Sequence, residues 1–328
     1  MRILPIDPAH PNATALDEAA ALLRAGRLVA FPTETVYGLG ANALDAAAVD
    51  RIYRAKGRPT YNPLIVHVAD AALVHDVAAE WPRDAEALAA RFWPGPLTIV
   101  VPKRSNVPDG VTAGLGTVAL RVPSHPIAHA LLVAAQLPVA APSANKSTQV
   151  SPTTAAHVAK SLGDAVDLIL DGGPTSVGIE STVVDLSGST PVLLRPGLLS
   201  VPQLEAVVGP VAIAGPSSGT TGRPSPGMLD KHYAPQARVR LVTAPGVSDA
   251  IREAHDEGRR VGAIVIDGDA TEADVRAVLP GDAAGYAARL YGTLYSLDDA
   301  GCDIIVIEQV PDAPEWLGVA DRLRRAAY

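Results

Sequence analysis

Lys56, Arg58 and Asn62 fall in Lys56-Gly57-Arg58-Pro59 and Asn62-Pro63-Leu64-Ile65-Val66-His67, which sets two cations and an amide between a helix end and a strand. A polyphosphate needs positive groups held rigidly, Arg offering a planar fork and Lys a compact charge. The same stretch also suits an ordinary helix end, with Arg54 and Lys56 against the dipole, Gly57 as C-cap and Pro59 as the stop. More polar groups stand at the ends of apolar runs. Ser143 and Asn145 in Pro142-Ser143-Ala144-Asn145 follow Leu137 to Ala141, where the carboxyl end of a strand in an open α/β sheet meets ligand or simply closes a turn. In Val118-Ala119-Leu120-Arg121-Val122 the alternation turns Arg121 away from Val118, Leu120 and Val122. A cation there calls for a carboxylate partner, from a ligand or from the chain itself. His67 alternates in the same way away from Leu64, Val66 and Val68. Ser181 opens a polar-to-apolar run in Gly178-Ile179-Glu180-Ser181-Thr182-Val183-Val184-Asp185, and Arg195 ends Leu193-Leu194-Arg195 before Pro196-Gly197.

Familiar catalytic patterns are missing. The chain has no HExxH, no GxSxG elbow and no CxxC pair, and Gly173 to Gly178 runs into Ile179 where a P-loop needs Lys. Gly38-Leu39-Gly40-Ala41-Asn42-Ala43 matches a loose dinucleotide motif, but the acid expected further on is replaced by the basic stretch at Lys56 to Arg58. Charge and binding groups are present; a nucleophile is not.

These residues need a scaffold. With 328 residues and 48% hydrophobic content, the chain is long enough for two cores, and its net charge of -8 argues against a broad basic face for nucleic acid. Cys302 is the single cysteine, so neither a disulfide framework nor a cysteine zinc site is available, in keeping with a cytoplasmic protein. No long apolar segment suggests export or a membrane span. Thr14, with Asp17 behind it, is expected to cap a helix to Ala25; a strand follows at Leu28 to Phe31, then a turn-rich segment over Pro32 to Asn42. A helix from Ala46 to Lys56 comes next. Strands at Leu64 to Val68, Leu97 to Val101, Val118 to Val122, Val139 to Ala141, Leu168 to Asp171, Ser181 to Leu186 and Val192 to Arg195 alternate with helices such as Pro126 to Ala135 and Thr153 to Leu162, an α/β pattern.

Gly209 to Gly227 turns Gly-Pro-Ser-Thr-rich, the composition of a linker. Strands at Arg238 to Val242, Val261 to Ile266 and Asp303 to Glu308 then alternate with helices near Val247 to Glu257, Ala283 to Leu297 and from Pro314, a small parallel α/β domain. The expected division is a larger domain over residues 1–208, a linker over 209–236 and a second domain over 237–328.

Taken together, Pro32-Thr33-Glu34-Thr35-Val36-Tyr37-Gly38-Leu39, the Lys56 to Leu64 stretch, Pro142 to Asn145, Gly178 to Val183 and Leu194-Arg195-Pro196-Gly197 resemble the Sua5/YrdC/YciO family. Ser225-Pro226-Gly227-Met228 with His232-Tyr233-Ala234-Pro235 resembles the linker of its long, two-domain Sua5 type. Two departures stand out: Thr148 occupies a position where the family often has Gly, and Leu229-Asp230-Lys231 replaces more basic and aromatic residues. The resemblance implies a YrdC-like domain with an open, twisted mixed sheet and a Rossmann-like second domain. It implies a nucleotidyltransferase that condenses L-threonine, bicarbonate or CO2, and ATP into threonylcarbamoyl-AMP and pyrophosphate, the first stage of N6-threonylcarbamoyladenosine synthesis on tRNA. Carried over by motif position, Lys56 and Arg58 act in catalysis. They also bind ATP, with Asn62, Thr117, Ser143, Asn145, Ser151, Arg195, His232 and Tyr233. Thr35, His67, Arg121, Ala141 and Ser181 surround L-threonine. Mg2+ would be held by the ATP phosphates rather than by the protein, and contact with tRNA and a downstream tRNA threonylcarbamoyl-transferase is implied. From another class, an RNA-binding module with a basic cleft and no chemistry is the competing reading; steep salt dependence of binding would distinguish it.

Overall fold

The computed structural model describes residues 1–215 and 233–328, and it divides the strands into two sheets. The first, larger sheet takes β1 (Arg2–Pro5), β2 (Val29–Pro32), β3 (Tyr37–Asn42), β4 (Ile65–His67), β5 (Leu97–Pro102), β6 (Thr117–Arg121), β7 (Val139–Ala140), β8 (Leu168–Asp171), β9 (Thr182–Asp185), β10 (Val192–Arg195) and β11 (Ala212–Ile213). Their order is β1-β8-β2-β3-β7-β4-β6-β5-β9-β10-β11, an open mixed sheet. Around it run α1 (Ala13–Arg24), α2 (Ala46–Lys56), α3 (Arg83–Phe92), α4 (Asp109–Thr112), α5 (Pro126–Ala135), α6 (Ala155–Leu162) and α7 (Val201–Val208). The second sheet, ordered β12-β15-β13-β14, is parallel throughout: β12 is Arg238–Val242, β13 Val261–Val265, β14 Val275–Val278 and β15 Ile304–Glu308. Its helices are α8 (Val247–Asp256), α9 (Ala283–Asp299) and α10 (Leu317–Ala326).

Several local expectations change. Asn12 rather than Thr14 caps α1, its side chain accepting from the Ala15 amide; Asn is the better N-cap, which moves the helix start forward. Residues 37–42 form a strand within the segment expected to be turn-rich. Its glycine at position 40 lies where a Cβ would come within 2.8 Å of the Phe31 ring and 3.0 Å of Val139, so the turn-like composition reflects crowding between strands. β1, β11 and β14 also appear where no strand was expected. β11 falls inside the expected linker yet pairs in parallel with β10, so the first sheet runs past residue 208; β14 is the edge of its sheet, and its alternation of half-buried and exposed residues is weak. α2 ends as expected, with Gly57 in the left-handed region (φ 58°) as C-cap.

The side-chain alternation on the central strands decides where the site lies. Leu64, Val66 and Val68 around β4 and Val118, Leu120 and Val122 around β6 enter the largest core, shared with α2 and α3. Ile65, His67, Ala119 and Arg121 therefore face the other way. On that face Ile65, Val100, Ala119, Val183 and Leu194 make a small apolar floor.

A further core crosses between the two sheets. Val36, Val150 and Ile179 from the first part pack with Tyr286, Ala287, Leu290, Tyr291, Leu294 and Trp316 of the second. The approach is close at two glycines. At Gly178 (φ 79°) a Cβ would stand 2.2 Å from the Ala287 carbonyl of α9, and at Gly318 of α10 it would stand 2.4 Å from the Gly197 carbonyl. Both first-sheet segments touched, Gly178 to Ser181 and Arg195 to Gly197, carry candidate site residues.

Candidate active site

A cavity of about 40 Å³ lies at the strand ends where β3, β4, β6 and β7 meet the loop before β9 and the end of β10. Thr33, Thr35, Arg58, Ile65, His67, Arg121, Ala141, Ser143, Glu180, Ser181, Arg195 and Tyr233 are among its walls. Of the residues assigned to ATP, it gathers Arg58, Ser143, Arg195 and Tyr233; of those assigned to threonine, all of Thr35, His67, Arg121, Ala141 and Ser181.

Arg58 leaves the end of α2 and is fixed by carbonyls, Nε donating to Asn62 O at 3.0 Å and Nη2 to Pro63 O at 2.8 Å. Burial lowers its pKa to about 10, so it stays cationic at neutral pH. Arg121 ends β6. It donates from Nε to Gly95 O and from Nη1 to Thr35 Oγ1 at 2.9 Å, and its Nη2 stands 2.7 Å from Glu34 Oε1, off the line of a well-aligned hydrogen bond. Burial alone would raise the Glu34 pKa; the charge of Arg121 together with hydrogen bonds to the carboxylate, the Ser124 amide among the donors, outweighs it and the carboxyl is lowered. Thr33 Oγ1 donates to Val36 O, so the hydroxyl of Thr35, 2.8 Å away, must be the donor of that pair. Arg195 donates from Nε to Ser181 O and from Nη2 to Ser181 Oγ, both at 3.1 Å, and Ser181 Oγ also meets Thr98 Oγ1 at 2.8 Å.

His67 is fully enclosed, and burial, reinforced by Arg121, pushes its pKa down to about 3. It is a neutral imidazole at pH 7, and its Nδ1 has no hydrogen-bond partner among the described residues. Glu180 is the carboxylate of the wall. Burial opposes its charge, yet Arg322 of α10 and then Arg195 hold its pKa down to about 2.

Several expected contacts lie behind the wall rather than in it. Lys56 is buried and gives its ammonium to Ser143 O and Asn145 O at 2.6 Å each, tying the end of α2 to the turn after β7. Its pKa is lowered well below the usual value, first by burial and then by Arg58. Asn145 donates to Lys146 O and Gln149 O, and Ser151 donates to Glu180 Oε1. Asn62 is buried beside Arg58, with neither amide atom partnered among the described residues. Thr117 shares the face of Arg121 on β6 but starts the strand, roughly 13 Å along it at the usual rise. His232 lies outside the described residues.

Two carboxylates were missed, one in the wall and one behind it. The need of Arg121 for a carboxylate was readable from its strand, and Glu34 answers it. Glu180 sits in a motif already noted, but its partner Arg322 is 142 residues further on, which no local pattern reveals. Tyr233 takes a left-handed backbone (φ 61°) and packs its ring 5.0 Å from the Arg322 guanidinium and 6.0 Å from Tyr291. Thr148 is also left-handed (φ 70°), a conformation that favours glycine, and its carbonyl accepts from the Ala234 amide. Among the described residues no three His, Cys, Asp or Glu side chains cluster as metal ligands, and no helix is long and apolar enough to cross a membrane.

Residues 21–197 match the sequence profile of the Sua5/YciO/YrdC family, described as "Telomere recombination". Residues 199–328 match that of the "Threonylcarbamoyl-AMP synthase, C-terminal domain". Similar proteins include the threonylcarbamoyl-AMP synthase of Pyrococcus abyssi (strain GE5 / Orsay), 46% identical over 94% of this chain and 93% of that protein. That of Bacillus subtilis (strain 168) is 45% identical over 98% and 95%. The crystal structure of P. abyssi Sua5 complexed with L-threonine superposes with a TM-score of 0.95 at 43% identity, covering 100% of this chain and 98% of that one. With both sheets, both profiles and near full-length relatives in agreement, the chain belongs to the Sua5/YrdC/YciO family, in its two-domain Sua5 form.

Proposed function

We propose that the cavity makes threonylcarbamoyl-AMP from L-threonine, bicarbonate or CO2, and ATP. The observation that carries this reading is the convergence of Arg58, Arg121 and Arg195 on one enclosed space that also holds hydroxyls and a neutral histidine. Cations of that kind match a nucleotide's phosphates at one end and an amino acid's carboxylate at the other.

At the threonine end, Arg121 takes the carboxylate, with Glu34 holding its guanidinium in place. Thr35, His67, Ala141 and Ser181 surround the amino and hydroxyl groups; the open Nδ1 of His67 suits a donor from the substrate, provided its ring proton sits on Nε2. At the other end, Arg58, Ser143 and Arg195 face the phosphates. The base and ribose extend over the apolar floor of Ile65 and Ala119 toward Thr117, with Asn62 offering its unpartnered amide. Lys56, Asn145 and Ser151 support this surface from behind, and Tyr233 closes over the nucleotide.

The chemistry asks for alignment more than for a nucleophile. The threonine amine attacks CO2 and gives up a proton to form the carbamate. A carbamate oxygen then attacks the α-phosphorus while the bond to the bridging oxygen breaks and pyrophosphate departs with the electron pair. Arginines fixed by backbone carbonyls spread the developing charge without reorganising during the reaction, and an enclosed site keeps water from the mixed anhydride. Mg2+ arrives on the nucleotide phosphates. The product is then passed to a tRNA adenosine by a separate transferase.

Mass spectrometry of the protein mixed with ATP, L-threonine and bicarbonate tests the reading. Threonylcarbamoyl-AMP and pyrophosphate should form together and vanish when any one substrate is omitted. ATP turnover that ignores threonine would contradict it.

A further inference from the structure

We infer that Arg322, on α10 of the second domain, is a positioning residue that sets the charge of the nucleotide end of the cavity by holding Glu180. The inference rests on the nucleotide reading given above. Three arginines and one carboxylate face the cavity. A second carboxylate behind the wall, Glu34, is matched to Arg121 at 2.7 Å. The other, Glu180, is adjacent in the chain to Ser181, whose carbonyl and hydroxyl bind Arg195. Left to itself, its charge would be spent against Arg195, one of the cations a triphosphate requires.

Arg322 takes up that charge instead. It has no exposed side-chain surface, its Nε stands 2.7 Å from Glu180 Oε2, and its Nη1 donates to Pro196 O at 3.0 Å. It therefore bridges the two segments that carry Glu180 and Arg195. Tyr291 of α9 adds a hydrogen bond to the same carboxylate oxygen at 3.0 Å, and Ser151 satisfies the other oxygen. Asp321, which also faces Arg322, is offset by Arg325 at 3.0 Å. Lys56 and the Tyr233 phenol complete the titratable groups around this carboxylate. The close contacts at Gly178 and Gly318 leave the second domain little freedom to slide relative to Glu180. In this arrangement the second domain contributes a countercharge to the site without touching substrate.

Calorimetric titration of the intact protein with ATP, and separately with L-threonine, provides the test. Arg322→Met should weaken ATP binding by about tenfold or more, since it returns one unpaired carboxylate to a buried cationic site. Threonine affinity, set at Arg121, should stay within about twofold. Removing both charges, in Glu180→Gln combined with Arg322→Met, should restore ATP affinity to within about threefold of the parent protein. A purely structural role for Arg322 would leave the double variant as weak as the single one, and that result overturns the inference. Equal ATP binding by Arg322→Met and the parent overturns it too. If Arg322→Met does not fold, Arg322→Lys takes its place: it keeps the charge and should hold ATP within about tenfold, and a larger loss with threonine binding intact is the contrary outcome. A parent protein that binds threonine but never ATP would instead sink the nucleotide reading itself.

Discussion

Arg121 and His67 show how far single residues can be read. Alternation alone turned both away from the apolar set on their strands, and both line the cavity. Their chemistry differs because of what stands nearby: Arg121 meets Glu34, whereas His67 meets no described partner at Nδ1. Arg58→Ala should lower kcat/KM for ATP by about 100- to 1000-fold while the fold survives, measured by pyrophosphate release; near-normal turnover would refute its place at the phosphates. Arg121→Lys should instead raise the KM for threonine by about tenfold or more, because an ammonium cannot reproduce the fork that meets Thr35 and Glu34. His67 carries a pH signature. Its folded pKa of about 3 lies below its unfolded value of about 6.5, so the unfolded chain takes up the proton first. Its contribution to stability is complete above pH 6.5 and falls away below it, by about 1.4 kcal/mol per pH unit. Urea unfolding at pH 7, 6 and 5 should show a shallower pH dependence for His67→Gln, and identical slopes would refute a neutral, buried His67.

Elements explain why other residues were not legible. The expectation of a helix end at Lys56 to Gly57 was correct, but the direction of the Lys56 side chain is set by the turn after β7, 87 residues further along. Sequence spacing alone could not separate a lysine that meets phosphate from one that pins Ser143 in place. The strand over residues 37–42 was hidden for a different reason: Gly40, required by crowding against Phe31 and Val139, reads locally as turn. Thr148 is the reverse case, a β-branched residue in a left-handed conformation that favours glycine, held there by the pairing of its carbonyl with Ala234. Thr148→Gly should stabilise the protein by up to about 1 kcal/mol, the relief of that conformation less the added freedom of the unfolded chain. A loss of stability in chemical denaturation would mean that the threonine side chain contributes packing that outweighs the strain.

At the scale of the whole molecule, the arginines that suggested a basic cleft prove to be enclosed in a cavity of an acidic protein, an arrangement suited to small anions. The α/β alternation of both halves was readable from periodicity, but the joint between them was not, since it depends on Gly178 against α9 and Gly318 against Gly197. A shared core of Val36, Val150 and Ile179 with α9 side chains makes the two parts interdependent. Thermal unfolding should accordingly follow one cooperative transition by calorimetry; two separate transitions would show that the interface contributes little. Gly318→Ala should lower that transition and weaken substrate turnover together, because its methyl group would push α10 and Arg322 away from Pro196 and Gly197. The most direct test of the shared cavity is a crystal structure with L-threonine and a non-hydrolysable ATP analogue bound together. The threonine carboxylate should lie on Arg121, the phosphates on Arg58 and Arg195, and the amino group should face the α-phosphorus. Ligands bound in separate places, or phosphates remote from both arginines, would contradict the account.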